Sequence, residues 1–142
     1  MAPTGAATHI RSIPIQWHPM PKYLLTLRSD VTADYSQYSP EDFQKVIEGY
    51  EAWAGGLAQK NLLHRGFKLQ DEGGKVMQPT GNGDVTVKDG PYVESKEVCG
   101  GVYVISADSY DHAVELCQGH PNFTFGSVEI REIDFMGGPE EV

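Results

Sequence analysis

Four charged side chains, Asp89, Glu94, Lys96 and Glu97, fall within nine residues of one another, with Tyr92 among them. They follow and overlap an Asp89-Gly90-Pro91 turn signal and lead into the apolar run Val102-Tyr103-Val104-Ile105. Charges at the entrance to a buried strand are costly unless paired or functional. A carboxylate beside Lys96 stays ionised, whereas one beside a second carboxylate has a raised pKa and can act as a general acid or base. Extended geometry from Tyr92 onward puts Glu94 and Lys96 on one face and Ser95 and Glu97 on the other. Two readings follow: an ion-pair network bracing the turn, or a site. As a site, Asp89 or Glu97 is the base, and Lys96 or Tyr92 stabilises developing negative charge. His120, between Gly119 and Pro121, can project from a helix end towards the central strands and joins the candidate catalytic residues. The plainer reading makes it an imidazolium at the negative helix terminus. Tyr92, Glu94 and the helical Tyr50 are the candidate ligand contacts.

Other chemistries find less support. No histidine or cysteine pair has metal-ligand spacing, and no glycine loop suited to a nucleotide is present, so neither metal nor cofactor is expected. Cys99 and Cys117 read as buried reduced thiols, as in a cytoplasmic protein. The net charge of −9, from 20 acids against 11 bases without a basic cluster, argues against nucleic acid and anionic membranes. No apolar run approaches the roughly 20 residues that cross a bilayer.

The elements that must position these residues are legible from periodicity. Lys22 to Arg28 is a short strand with apolar residues facing both ways. Ser39 caps a helix with Pro40 at its first position, and Phe43, Val46, Ile47, Tyr50, Trp53, Ala54 and Leu57 form one stripe. His64 is placed in the turn after this helix, on the surface. Short alternating pieces follow around Phe67, Val76 and Val85-Thr86-Val87, and then the interior strand at 102–105. A second helix capped by Asp108 or Ser109 turns Tyr110, Ala113, Val114 and Cys117 inward and His112 outward. Gly126 to Ile133 is a last, half-exposed strand. The order β-α-β-β-α-β, with an extra hairpin, predicts an α+β ferredoxin-like sandwich, its first and third core strands central. Helices cover one face of such a sheet, so two-sided apolar strands predict a homodimer of dimeric α/β-barrel type, with Tyr23, Val102 and Val104 at the interface. Residues 1–20 read as an N-terminal extension or added segment, 21–136 as a single domain and 137–142 as a flexible tail.

Asp89, Gly90, Pro91, Glu94, Lys96, Glu97, Gly100 and Gly101 stand where the DGPF-motif family of the YCII-like group has its hallmark. The chain resembles that family from roughly Lys22 to Ile133. It departs at Tyr92, where the family has phenylalanine, and at Ser95, where it has threonine. The resemblance implies a dimeric ferredoxin-like fold in a group whose biochemical role is largely unassigned. Its likeness to modules encoded near or fused to extracytoplasmic-function sigma factors implies a regulatory or sensing role. A histidine–aspartate mechanism on a first-helix histidine, proposed for some relatives, does not transfer, since residues 40–60 hold no histidine. The expected function is small-molecule binding in a pocket near the motif. The alternatives are a cofactor-independent acid–base enzyme, an isomerase or lyase acting on a small organic acid or lactone, and a purely structural dimer.

Overall fold

A computed structural model describes residues 20–91 and 97–137 of the 142-residue chain. Tyr92, Glu94 and Lys96 therefore lie outside the described residues, as do most of the N-terminal extension and nearly all of the tail. The elements in order are β1 (Lys22–Asp30), α1 (Pro40–Gln59), β2 (Leu63–Lys68), β3 (Lys75–Pro79), β4 (Val85–Asp89), β5 (Glu97–Ser106), α2 (Tyr110–Leu116), a 3-10 turn (Pro121–Thr124) and β6 (Gly126–Glu132). This is a mixed α+β fold.

Four strands form one antiparallel sheet in the order β2-β5-β1-β6, and β3 and β4 form a separate two-stranded ribbon. The first and third sheet strands, β1 and β5, are central as expected, and β6 is at an edge. Side chains alternate across β1, so Tyr23, Leu25 and Leu27 are buried while the residues between them are only half-buried. Tyr23, Leu25 and Ile105 make the core with Leu57 of α1, Ala107, Ala113 and Cys117, and Trp53, Tyr103, Leu116, Val128 and Ile130 pack against it. Tyr23 thus points into the core and meets the Tyr110 ring edge-on at 4.9 Å. Its expected place at a subunit interface is corrected: period two puts Leu24, not Tyr23, on the face shared with Val102 and Val104.

Two irregularities shape the sheet. Leu27 opposes Gly101 while Arg28 opposes Cys99, so Gly100 is an extra residue on β5, and its carbonyl accepts from the Leu69 amide at 2.8 Å. Leu63 opposes Ile105 while Arg65 opposes Val104, so His64 is the extra residue on β2. Such bulges bend a strand and re-aim one side chain. His64 is exposed as expected, but it belongs to β2 and not to the turn before it.

The helices start as their sequences require. Ser39 Oγ accepts from the Asp42 amide at 3.1 Å and Asp42 Oδ2 accepts from the Ser39 amide at 2.9 Å, a complete capping box followed by Pro40. The apolar stripe of α1 reaches the core only from its middle onward. Leu57 is buried and Tyr50, Trp53 and Ala54 are half-buried, but Phe43 and Ile47 are exposed because the first turns extend past the core. In α2, Ala113 and Cys117 are buried with Leu116 beside them. Tyr110 and Val114, expected inward, are exposed, since seven residues make two turns and only one narrow face meets the sheet.

Candidate functional site

The chain leaves α2 through Gly119, whose φ of +72° lies in the left-handed region that glycine adopts without penalty. That reversal drives His120 inward until only 2% of it is exposed. Pro121 then starts the 3-10 turn, and His120 Nδ1 caps it by accepting from the Asn122 amide at 3.0 Å. A nitrogen that accepts an amide hydrogen carries none, so in the neutral ring the proton sits on Nε2. Nε2 is buried and has no hydrogen-bond partner among the described residues. Burial pushes the His120 pKa down to about 4, so the ring is uncharged at neutral pH. The imidazolium reading of His120 is thereby corrected: in this enclosure desolvation outweighs any attraction from the helix terminus.

Aromatic rings enclose the imidazole. Trp53 stands edge-on at 4.4 Å between centroids, Tyr50 at 5.5 Å, Tyr103 at 6.2 Å and Phe123 at 6.5 Å. Trp53 is fixed by donating Nε1–H to the Leu116 carbonyl at 2.9 Å. Tyr103 lies across Gly66 of β2, where any Cβ would come within 2.3 Å of its ring. The absence of a side chain at Gly66 is what lets this ring occupy its place. Burial raises the Tyr103 pKa, and burial followed by the neighbouring Tyr103 pushes Tyr50 up to about 12. Both phenols are protonated donors at neutral pH.

Asn122 ties this cluster to the sheet. Its side-chain oxygen accepts from Tyr50 Oη at 2.8 Å, and its amide donates to the Arg28 carbonyl at 3.0 Å and the Ser127 carbonyl at 2.7 Å. It is 3% exposed, and all these bonds are to protein, which rigidifies the turn against the paired ends of β1 and β6. From the same Ser127, Oγ donates to Glu97 Oε2 at 2.9 Å. A continuous hydrogen-bonded path therefore runs from Glu97, the last residue of the charged motif, through Ser127 and Asn122 to Tyr50 and to the His120 cap.

The described candidates separate into two groups. Tyr50 and His120 share the aromatic enclosure, and Glu97 reaches it through Ser127. Asp89 lies elsewhere, at the end of the ribbon, where it forms an exposed ion pair with Lys75, the residue opposite it in register. The Gly90 amide closes the same end by donating to the Gly74 carbonyl at 2.9 Å. Asp89 is a clasp on the hairpin. Asn122 and Ser127 were not among the sequence-based candidates, and Trp53 and Tyr103 were read as core. The signal for Asn122 was present in Gly119-His120-Pro121-Asn122, a stop, a cap and a proline, but two of its three side-chain partners, Tyr50 and Arg28, come from distant segments.

This β-α-β-β-α-β core with a ribbon before its third sheet strand, and the Glu97-to-His120 path, can be set beside known proteins. Residues 30–136 match the YCII-related domain. The chain belongs to the YCII-related domain family. A search of curated proteins found no match. The family match starts at the last residue of β1, so one of the two central strands lies almost wholly ahead of the matched stretch. Among the described residues no group of three or more His, Cys, Asp or Glu side chains is arranged to hold a metal ion. No helix among them is long and apolar enough to cross a membrane.

Proposed function

We propose that this YCII-related protein binds a small molecule between the sheet and the helices, against His120, Tyr50 and Tyr103, with Glu97 of the charged motif joined to the site through Ser127 and Asn122. The observation that carries the reading is the buried His120 Nε2–H, a donor without an acceptor among the described residues. Leaving a buried donor unsatisfied costs about 1–3 kcal/mol, and a ligand carbonyl or carboxylate oxygen recovers it. The aromatic rings supply flat apolar contacts, and the protonated Tyr103 supplies a further donor. Glu97 sits at the other end of the hydrogen-bonded path and links occupancy to the motif, which suits a regulatory or sensing role.

The protein works as a homodimer in this reading, with a ferredoxin-like sheet in each subunit. The support is the apolar Leu24, Val102 and Val104 on the sheet face away from Tyr23 and Leu25. The test is titration of purified protein with pools of small metabolites, following both retained mass and depletion. A compound that is retained unchanged and shifts the His120 Nε2 proton resonance supports the binding site. Depletion with a new product transfers the reading to acid–base catalysis. No retention from pools of carboxylates and carbonyl compounds ends the ligand reading.

A further inference from the structure

At the opposite end of the sheet from Glu97, a second pair of side chains meets that the site above does not use. His64 Nε2 lies 2.5 Å from Ser106 Oγ, across 42 residues of sequence. His64 is the extra residue of the β2 bulge, so the irregularity that interrupts the ladder also turns this ring towards Ser106. Ser106 is held from both sides of its backbone. Its amide donates to the Leu62 carbonyl at 2.8 Å, and the next amide, of Ala107, donates to the Pro21 carbonyl at 3.2 Å. Ser106 is 7% exposed while its partner His64 is exposed, which places the pair at the rim of the sheet and not inside the core.

A third group belongs to the cluster. Lys22, the first residue of β1, stands directly opposite Ser106 in the β1–β5 ladder, so the two side chains share a face. Its charge also bears on His64, whose pKa is lowered first by burial and then by Lys22, leaving a neutral ring able to accept a proton. A hydroxyl within hydrogen-bond reach of a neutral imidazole is the arrangement that activates a serine nucleophile.

We propose that Ser106 and His64 form a nucleophile–base pair that takes the acyl group of small activated esters and passes it to water. Ser106 Oγ bonds to the ester carbonyl carbon while His64 Nε2 removes the hydroxyl proton. The carbonyl electron pair moves onto oxygen. Its return expels the alcohol, which takes the proton from His64 and leaves an acyl-serine. Water then attacks the same carbon, giving its proton to His64. Ser106 Oγ leaves with that proton restored, and the net reaction is ester plus water to acid plus alcohol.

The experiment uses the intact protein and 4-nitrophenyl acetate. Early quenching followed by peptide mapping is expected to find acetyl on Ser106, ahead of the exposed serines. Ser106→Ala is expected to lose that adduct, and His64→Gln to slow its formation by about 100-fold, the scale of a positioned general base. Both variants are checked by melting, and His64→Asn serves if His64→Gln fails to fold. Acetyl found instead on Lys22 or on His64 itself overturns the proposal. So does a wild-type Ser106 that stays unmodified, or one that acylates equally fast without the imidazole. In each of those cases the pair is only the hydrogen bond of a buried hydroxyl.

Discussion

His120 is an ionisable side chain buried among aromatic rings, and its protonation sets a stability prediction. The unfolded ring titrates near 6.5 and the folded one near 4, so on acidification the unfolded chain takes up the proton first. The contribution is fully present above about pH 6.5 and is lost as pH falls towards 4, up to ~3 kcal/mol in all. Melting followed from pH 7 to pH 4.5 is expected to show a steeper fall for the natural protein than for His120→Asn, which keeps a side-chain acceptor for the turn. Equal slopes would mean that His120 is charged or exposed in the fold. Asp89 stands at the other extreme. Its ion pair with Lys75 is exposed on both sides, and such pairs are worth ~0–1 kcal/mol. Asp89→Asn is therefore expected to move the melting temperature very little, against the sequence-based reading of Asp89 as part of an ion-pair network bracing the turn. A large drop would show that the clasp supports more than the ribbon.

Among the elements, β6 has the tightest requirement. A Cβ on Gly126 would stand 2.0 Å from the Arg28 carbonyl oxygen, inside any tolerable contact with backbone. The same stretch of β1 and β6 receives the Asn122 amide and feeds the Glu97–Ser127 bond. Gly126→Ala is expected to cost more than ~2 kcal/mol, read as a lowered denaturation midpoint, because neither strand end can shift without breaking those bonds. It should also detach Asn122 from the sheet and loosen the His120 enclosure, visible as an indole fluorescence change at Trp53. A near-normal midpoint would show that the β1–β6 end is free to move apart. The β3–β4 ribbon behaves differently. Two strands alone are marginal in water, and almost every residue of this pair is exposed or half-exposed. Its register rests on cross-strand pairs such as Lys75 with Asp89 and Met77 with Val87.

At the level of the whole molecule, the question is what covers the outer face of β1 and β5. Leu24, Thr26, Val102 and Val104 alternate with the core residues, and the edge strand adds the exposed Phe67 on the same face, opposite Val102. Light scattering at micromolar concentration is expected to give a mass near two copies and not the 15.6 kDa of one. Val102→Glu is expected to return it to one copy without unfolding, since a charge on that face meets water once the partner is gone. A natural protein that scatters as a single copy would show that no second sheet packs there.

Read alone, the sequence determined the elements and their order, because capping and periodicity are local. Ser39, Pro40 and Asp42 specify the start of α1 wherever that helix sits, and the unbroken Val102 to Ile105 run specifies an interior strand. The YCII-related identity was legible for a similar reason, as a contiguous run from Asp89 to Gly101. What tertiary structure decided was which residues meet. The bulge at His64 and the Ser106 contact depend on register between β2 and β5, and a single extra residue changes which side chain faces which. The direction of Tyr23 was ambiguous in a strand apolar on both faces and was settled by where the helices pack. His120 could be read as a charged cap until its enclosure by Trp53, Tyr50 and Tyr103 was known. Desolvation depends on every neighbour at once, and those neighbours come from α1 and β5, far along the chain.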